Sequence, residues 1–398
     1  MDQPTFLCLA SYYKGGAFLE ACHELGIRTL LLTLESLKDK DWPWECVDER
    51  FFMPDPYKEP DVTHAVSYLA RERRIDRIVP LDDFDVETAA SLREHLRCPG
   101  MGDTTARYFR DKLAMRVQAR DCGIKVPDFV GILNYDAVNE YAQNVAPPWV
   151  LKPRSEAGAV GIKKVQTPDE LWNYIHALGD KQSYYLAEKY VKGDVFHVDS
   201  VVYDKKVLFG RAHRYGVPPF DVWNHGGVFS SQSLDLKSDL SKRLLKLNEQ
   251  MVNAMGLVRG VTHTEFIEGP DGELYFLEKA ARVGGANIDK LVEASSDVDL
   301  WKEWARLELA NLRKVPYKMH KTRKDNAGLL VCLAKDKEPD LSLFDAPEVV
   351  WKEGKDNHAS IIVSAKSPER VAELMTEYKS MLQERVLAVA PPTDEVVH

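Results

Sequence analysis

The segment VTHTEFIEGPDGELYFLEKAARVGG, residues 261–285, reads as a β-hairpin, because Gly269-Pro270-Asp271-Gly272 is turn chemistry and both flanks are strand-like. An even-length loop centred between Pro270 and Asp271 would set Glu265 opposite Phe276 and diagonal to Glu278 on the same face. An odd-length loop with a bulge at Gly272 would break that arrangement. Diagonal neighbours lie roughly 7–8 Å apart, which lets two carboxylates close on one or two divalent cations. Both glutamates stand among aromatic and aliphatic neighbours, where an unpaired charge is costly, so a shared cation is expected over two solvated side chains. Just beyond the hairpin, Arg282 precedes Val283-Gly284-Gly285. A guanidinium beside a metal site can hold a transferring phosphoryl group or a developing oxyanion, and glycines let a substrate approach the backbone closely.

Upstream, Lys152 in WVLKP is followed by a loop of small residues from Ser155 to Gly161 that includes Gly158. Free N–H groups in such a loop can drape over triphosphate oxygens, and a lysine on the preceding strand can neutralise them. Neither a G-x-x-x-x-G-K-[ST] nor a G-x-G-x-x-G pattern occurs, so this is not a Walker-type or Rossmann-type loop. Glu188-Lys189-Tyr190-Val191 closes a strand before Gly193, a hinge able to offer backbone groups to a base edge. Lys112, on a helix before Gly123, is in isolation an ordinary surface lysine. His225 and Gly226 in NHGG belong to a loop from Tyr215 to Phe229, rich in Pro, Gly and aromatics, that is expected to wall a substrate pocket with Phe220 and Trp223. His225 and His263 are lone histidines, a residue more often structural than catalytic.

The start of the chain alternates strand-like TFLCLAS, a Gly15-Gly16 turn, helical AFLEACHELG stopped by Gly26, and strand-like IRTLLLTLE. That order is the β-α-β signature of an open parallel sheet over residues 1–105. TTARYFRDKLAMRVQARDCGIKVPDFV reads as one helix ended by Gly123 and released by Pro127. Asp204-Lys205 suits a hairpin corner, and a long helix is expected from about Lys237 to Met255. The resulting class is a multidomain α/β and α+β chain, with units at 1–105, 106–315 and 316–398, and with about 125–190 as a lid on the middle one.

At 44% hydrophobic and 29% charged residues, 398 residues form compact domains and not a disordered or fibrous chain. A net charge of −9 and the lack of any Lys/Arg tract argue against nucleic acid and anionic lipid as partners. The opening MDQPTFLCLA lacks a secretory pattern, and no window approaches a membrane span, so a cytoplasmic location is expected. Six scattered cysteines have no metal-like spacing and read as buried free thiols.

In order, RDK near Lys112, VLKP with its glycine-containing loop, EKYV, HTEF and LEKAARVGG resemble the ATP-grasp family over about residues 1–310. The E-x-x-x-R-x-G-G pattern at Glu278, Arg282, Gly284 and Gly285 is most similar to the carboxylate-amine ligases that make dipeptides and related amides. The resemblance implies ATP and Mg2+ (or Mn2+) as cofactors, small carboxylate and amine substrates, and a possible homodimer. It implies Lys112 and Lys152 on the phosphates with Ser155 and Gly158, Glu188 to Val191 on adenine, and Glu265 and Glu278 on the metal. It further implies Arg282 and Glu278 as catalytic residues, and His225, Gly226, Arg282, Gly284 and Gly285 on substrate. The alternatives are an ATP-grasp carboxylase or carboxylate-thiol ligase, and a nucleotide-binding regulatory protein without turnover. Two positions depart from the family: Val195 stands where a ribose-binding glutamate is usual, with Asp194, His197 or Asp199 as substitutes, and Ala280 replaces a metal-shell asparagine.

Overall fold

A computed structural model describes residues 3–156, 160–217 and 227–388. Three sheets organise it. The first is parallel, in the order β3-β2-β1-β4, from β1 (Thr5–Ala10), β2 (Arg28–Leu34), β3 (Glu49–Met53) and β4 (Arg77–Pro80). Helices cover it, and β1 is accordingly buried along its whole length. Gly15, which follows β1, has a left-handed φ of 89°, and a side chain there would meet Leu81 Cβ at 2.8 Å.

A second sheet, antiparallel and in the order β5-β8-β6-β7, is built from β5 (Phe129–Gly131), β6 (Trp149–Pro153), β7 (Lys163–Val165) and β8 (Tyr185–Lys189). The third has eight strands in the order β13-β12-β9-β10-β11-β14-β16-β15. Its members are β9 (Asp194–Tyr203), β10 (Lys206–Tyr215), β11 (Phe229–Ser233), β12 (Gly260–Glu268), β13 (Leu274–Ala280), β14 (Asn326–Leu333), β15 (Val349–Lys355) and β16 (His358–Ala365). The C-terminal strands therefore extend the central sheet through β11. Asp204 and Lys205 turn β9 into β10 at φ 53° and 63°, as a two-residue hairpin requires.

Period-two alternation assigns the two faces of the large sheet. Phe196, Val198, Phe266 and Phe276 pack with Met251 and Val252 of the helix Asp239–Met255. Val195, Val201, Val261 and Ile267 face the other way, toward a core shared with Val283, Ile288 and Phe18. Phe18 meets Trp304 of the helix Leu300–Arg313 edge-on at 5.4 Å, which fastens the first sheet against the large one.

One expected helix is two. Asp103–Ala106 and a 3-10 turn at Arg107–Phe109 precede the helix Lys112–Asp121, because Asp111 takes an extended backbone and its carboxylate caps Leu113 and Ala114. That break puts Lys112 on the first turn of its helix. All six cysteines are free, but Cys122 is exposed and Cys98 half-buried, since both lie at helix ends and not in apolar runs. Among the described residues, no helix is long and apolar enough to cross a membrane.

Candidate active site

The hairpin has an odd loop, residues 269–273, with Glu268 paired to Leu274 and Phe266 to Phe276. Continued unchanged, that register would set Glu265 against Leu277 and send Glu278 to the opposite face. A bulge at Leu277 corrects it, so that Glu265 stands directly opposite Glu278. The expected diagonal is thus replaced by a direct cross-strand pair, and the bulge lies one residue before the second glutamate instead of at Gly272.

Both glutamates line a cavity of about 360 Å3 with Lys112, Lys152, Glu188, Tyr190, Val191 and Arg282. Lys112 Nζ is 3.1 Å from Glu278 Oε1 and also donates to the Glu156 carbonyl. In the same cavity Lys152 donates to Glu188, whose other oxygen receives Arg116 Nε at 2.9 Å. Burial by itself would raise the Glu188 pKa, but Arg116 and Lys152 reverse it and hold the carboxylate below its ordinary range. Burial also lowers Lys152 to about 8 despite Glu188, which places its loss of charge within an accessible pH range.

The remaining anticipated residues divide. The Lys189 ammonium is occupied by the Ala146 and Pro147 carbonyls, and the N–H groups of Lys189 and Tyr190 donate to the Asp128 and Pro148 carbonyls, while Lys189, Tyr190 and Val191 all line the cavity. Gly193 passes so close to β12 that a Cβ would lie 1.8 Å from the Glu268 carbonyl oxygen, so only glycine lets this hinge dock. Ser155 is exposed, and its carbonyl accepts from Arg110. Gly158, Phe220, Trp223, His225 and Gly226 lie outside the described residues.

Arg282 and Gly285 line both this cavity and a second one of about 1010 Å3, against the C-terminal ends of the first sheet's strands. There Arg282 Nε is 3.7 Å from Asp83 Oδ1, and Lys14 donates to the Val283 carbonyl at 3.1 Å. Burial would lower the Arg282 pKa, but Asp83, Asp82 and Glu278 more than offset it. A Cβ on Gly284 would meet Ile288 at 2.9 Å and His263 Nδ1 at 3.1 Å, which explains a glycine between Arg282 and the following helix.

Sequence reading missed Arg116, Lys14 and Asp83, and it named Asp199 only as a substitute for the ribose contact. Asp199 sits beside His263 across β9 and β12, with Asp199 Oδ1 to His263 Nδ1 at 2.9 Å. Burial opposes charge on His263, but Asp199 and Glu265 prevail and raise it to about 9. The period-two match of HVD with HTE held this pairing, although only the register brings the strands together. His197 and Asp199 are spent in this network and Asp194 pairs with Arg214 at 2.7 Å, while Val195 lines the cavity.

No family model matches the chain. It is 27% identical over 233 residues to an L-arginine-specific L-amino acid ligase of Bacillus subtilis, covering 57% of this chain and 56% of that protein. To an alanine–anticapsin ligase of Bacillus subtilis it is 21% identical over 295 residues, covering 66% and 62%. The chain therefore spans less than two thirds of these relatives. An L-amino acid ligase structure from Bacillus licheniformis superposes with a TM-score of 0.76 at 18% identity, covering 98% of this chain and 99% of that one. An N5-carboxyaminoimidazole ribonucleotide synthetase structure from Thermus thermophilus gives 0.73 at 17% identity, covering 97% and 99%.

Proposed function

We propose, on the premise that the chain has the ATP-grasp fold, that it is an ATP-dependent carboxylate-amine ligase working through an acyl phosphate. The observation that carries this reading is the direct opposition of Glu265 and Glu278 in a cavity that also holds Lys112, Lys152 and Arg282. Residues 106–315 would form the nucleotide-binding unit, with about 125–190 as its lid, and 1–105 and 316–398 would be the flanking units.

Magnesium fits this donor set. Glu265 and Glu278 are hard oxygen ligands, and described residues engage only Oε1 of each, by Tyr215 and His263 for Glu265 and by Lys112 for Glu278. The ion would be held by both and would neutralise charge on the transferring phosphoryl group. Lys112 and Lys152 would bind the phosphates, and the backbone of Glu188 to Val191 would take the adenine edge. A substrate carboxylate in the second cavity attacks the γ-phosphorus and releases ADP. The amine then adds to the acyl carbon and expels phosphate. Arg282, which lines both cavities, would hold the transferring group and then the oxyanion. Positioning and charge neutralisation supply the catalysis.

Phosphate release measured against a panel of amino acids and other carboxylates, with hydroxylamine to trap acyl phosphate and amines then added singly, tests the reading. ATP consumption with no hydroxamate and no amide in any pairing would defeat it. Replacing Lys152 by Ala is expected to weaken ATP binding ten- to a hundredfold, or about 1.5–3 kcal/mol for charged hydrogen bonds; calorimetry giving unchanged affinity would move the phosphate contact elsewhere. Because Lys152 is charged below about 8 and neutral above it, nucleotide affinity is expected to fall as pH rises through that value. The decline is at most about tenfold per pH unit, and it should be missing in the Ala variant.

A further inference from the structure

The carboxylate of Glu265 is gripped by side chains to which the proposed chemistry gives no task. Tyr215, at the end of β10, donates from Oη to Glu265 Oε1 at 2.8 Å. His263 Nε2 lies 3.4 Å from that same oxygen and 3.3 Å from Tyr215 Oη. The imidazole is itself held from behind. Its Nδ1 meets Asp199 Oδ1 at 2.9 Å, the other Asp199 oxygen meets His197 Nδ1 at 2.7 Å, and His197 Nε2 meets Ser231 Oγ at 2.7 Å. Asp199 and His197 are fully buried.

Strand register makes this chain continuous: Glu265 pairs with His197, His263 with Asp199, and His197 with His213, so the polar side chains share one face across β12, β9 and β10. Such a row is costly to bury unless each group is answered, and the links from Ser231 to Glu265 answer one another in sequence. A second metal site is a poor account of it. His197, Asp199 and His213 have ligand atoms within 4.8 Å of one another, but the two imidazoles are stacked, with centroids 4.6 Å apart and planes 16° apart. Imidazole lone pairs lie in the ring plane, so stacked rings cannot both aim at one ion. What the row does reach is Oε1 of Glu265, and the hydrogen bonds from described residues leave Oε2 out.

We infer that Tyr215 and His263, braced by Asp199 and His197, are positioning residues that fix one oxygen of Glu265 so that the other meets the divalent cation of the nucleotide. This rests on the ligase reading for the presence of that cation. Partners that orient a metal's carboxylate contribute roughly ten- to a hundredfold to metal affinity.

The test is Mn2+ titration followed by electron paramagnetic resonance on the full chain with ADP present. It compares the wild type with Tyr215→Phe and His263→Gln, each alone and combined with Glu265→Gln. Each single variant is expected to raise the Mn2+ Kd at least about tenfold, with an unchanged melting temperature in the metal-free protein. In the Glu265→Gln background neither should weaken binding further, since both act through that carboxylate. Wild-type affinity in both single variants, or equal weakening with and without Glu265, would overturn the inference. Tyr215→Phe removes one oxygen atom and keeps the test decisive if His263→Gln does not fold. A wild-type chain that fails to bind Mn2+ with ADP would overturn the ligase reading itself, a result distinct from failure of the variants alone.

Discussion

Glu278→Gln is expected to lower turnover by roughly a hundredfold to a thousandfold, since loss of one preorganised charge at a phosphoryl-transfer site removes about 3–4 kcal/mol of transition-state stabilisation. The substitution is nearly isosteric and the side chain is 28% exposed, so the hairpin and its bulge should persist. Lys112 would lose its carboxylate partner, yet its bond to the Glu156 carbonyl remains. The expected pattern is therefore lost amide formation with preserved circular dichroism. Wild-type rates in this variant would remove Glu278 from the metal site and, with it, the main support for the ligase reading.

Arg116→Ala should have the largest effect on stability, about 3–5 kcal/mol by analogy with other buried ion pairs that lose one partner. Arg116 is fully buried on the helix Lys112–Asp121, donates Nε to Glu188, and donates Nη1 to the Leu277 carbonyl at 2.5 Å. It thus ties the small antiparallel sheet to the bulge that sets Glu265 opposite Glu278. Removing it leaves Glu188 with Lys152 alone and releases the Leu277 carbonyl. Denaturant unfolding checks the loss, and a variant within about 1 kcal/mol of wild type would show that water or Lys152 replaces the guanidinium. A weaker Mn2+ site in the folded variant should accompany the loss, because the bulge would no longer be held from that side.

Much of the site was legible because strands carry a period of two. Glu265 and Glu278 were named from their places on either side of a Gly-Pro-Asp-Gly turn, and they do face each other. The route differed: the loop is odd, and one extra residue at Leu277 restores a pairing that loop length alone would have destroyed. A bulge leaves almost no mark on composition, so its place could not be read beforehand. Lys152, Glu188 and Lys112 were visible as motif members, but not as charges in contact with Arg116 and Glu278. Those contacts join residues separated by 36 to 166 positions, and no local pattern encodes them. Asp83 and Lys14 carry no mark in the sequence, because their use depends on how the first sheet packs against Arg282.

Residue order alone specifies the set of elements and the chemistry each could offer. Alternation placed the strands, glycines and caps ended the helices, and acidic and basic residues at fixed offsets in strands and loops named the groups able to meet phosphate and cation. Tertiary structure alone decided which of those groups meet. Register, the Leu277 bulge and the docking of three sheets convert separate side chains into a shared cavity, because a carboxylate pair, a buried guanidinium or a histidine chain acquires its properties from neighbours a few ångströms away and not from its position along the chain.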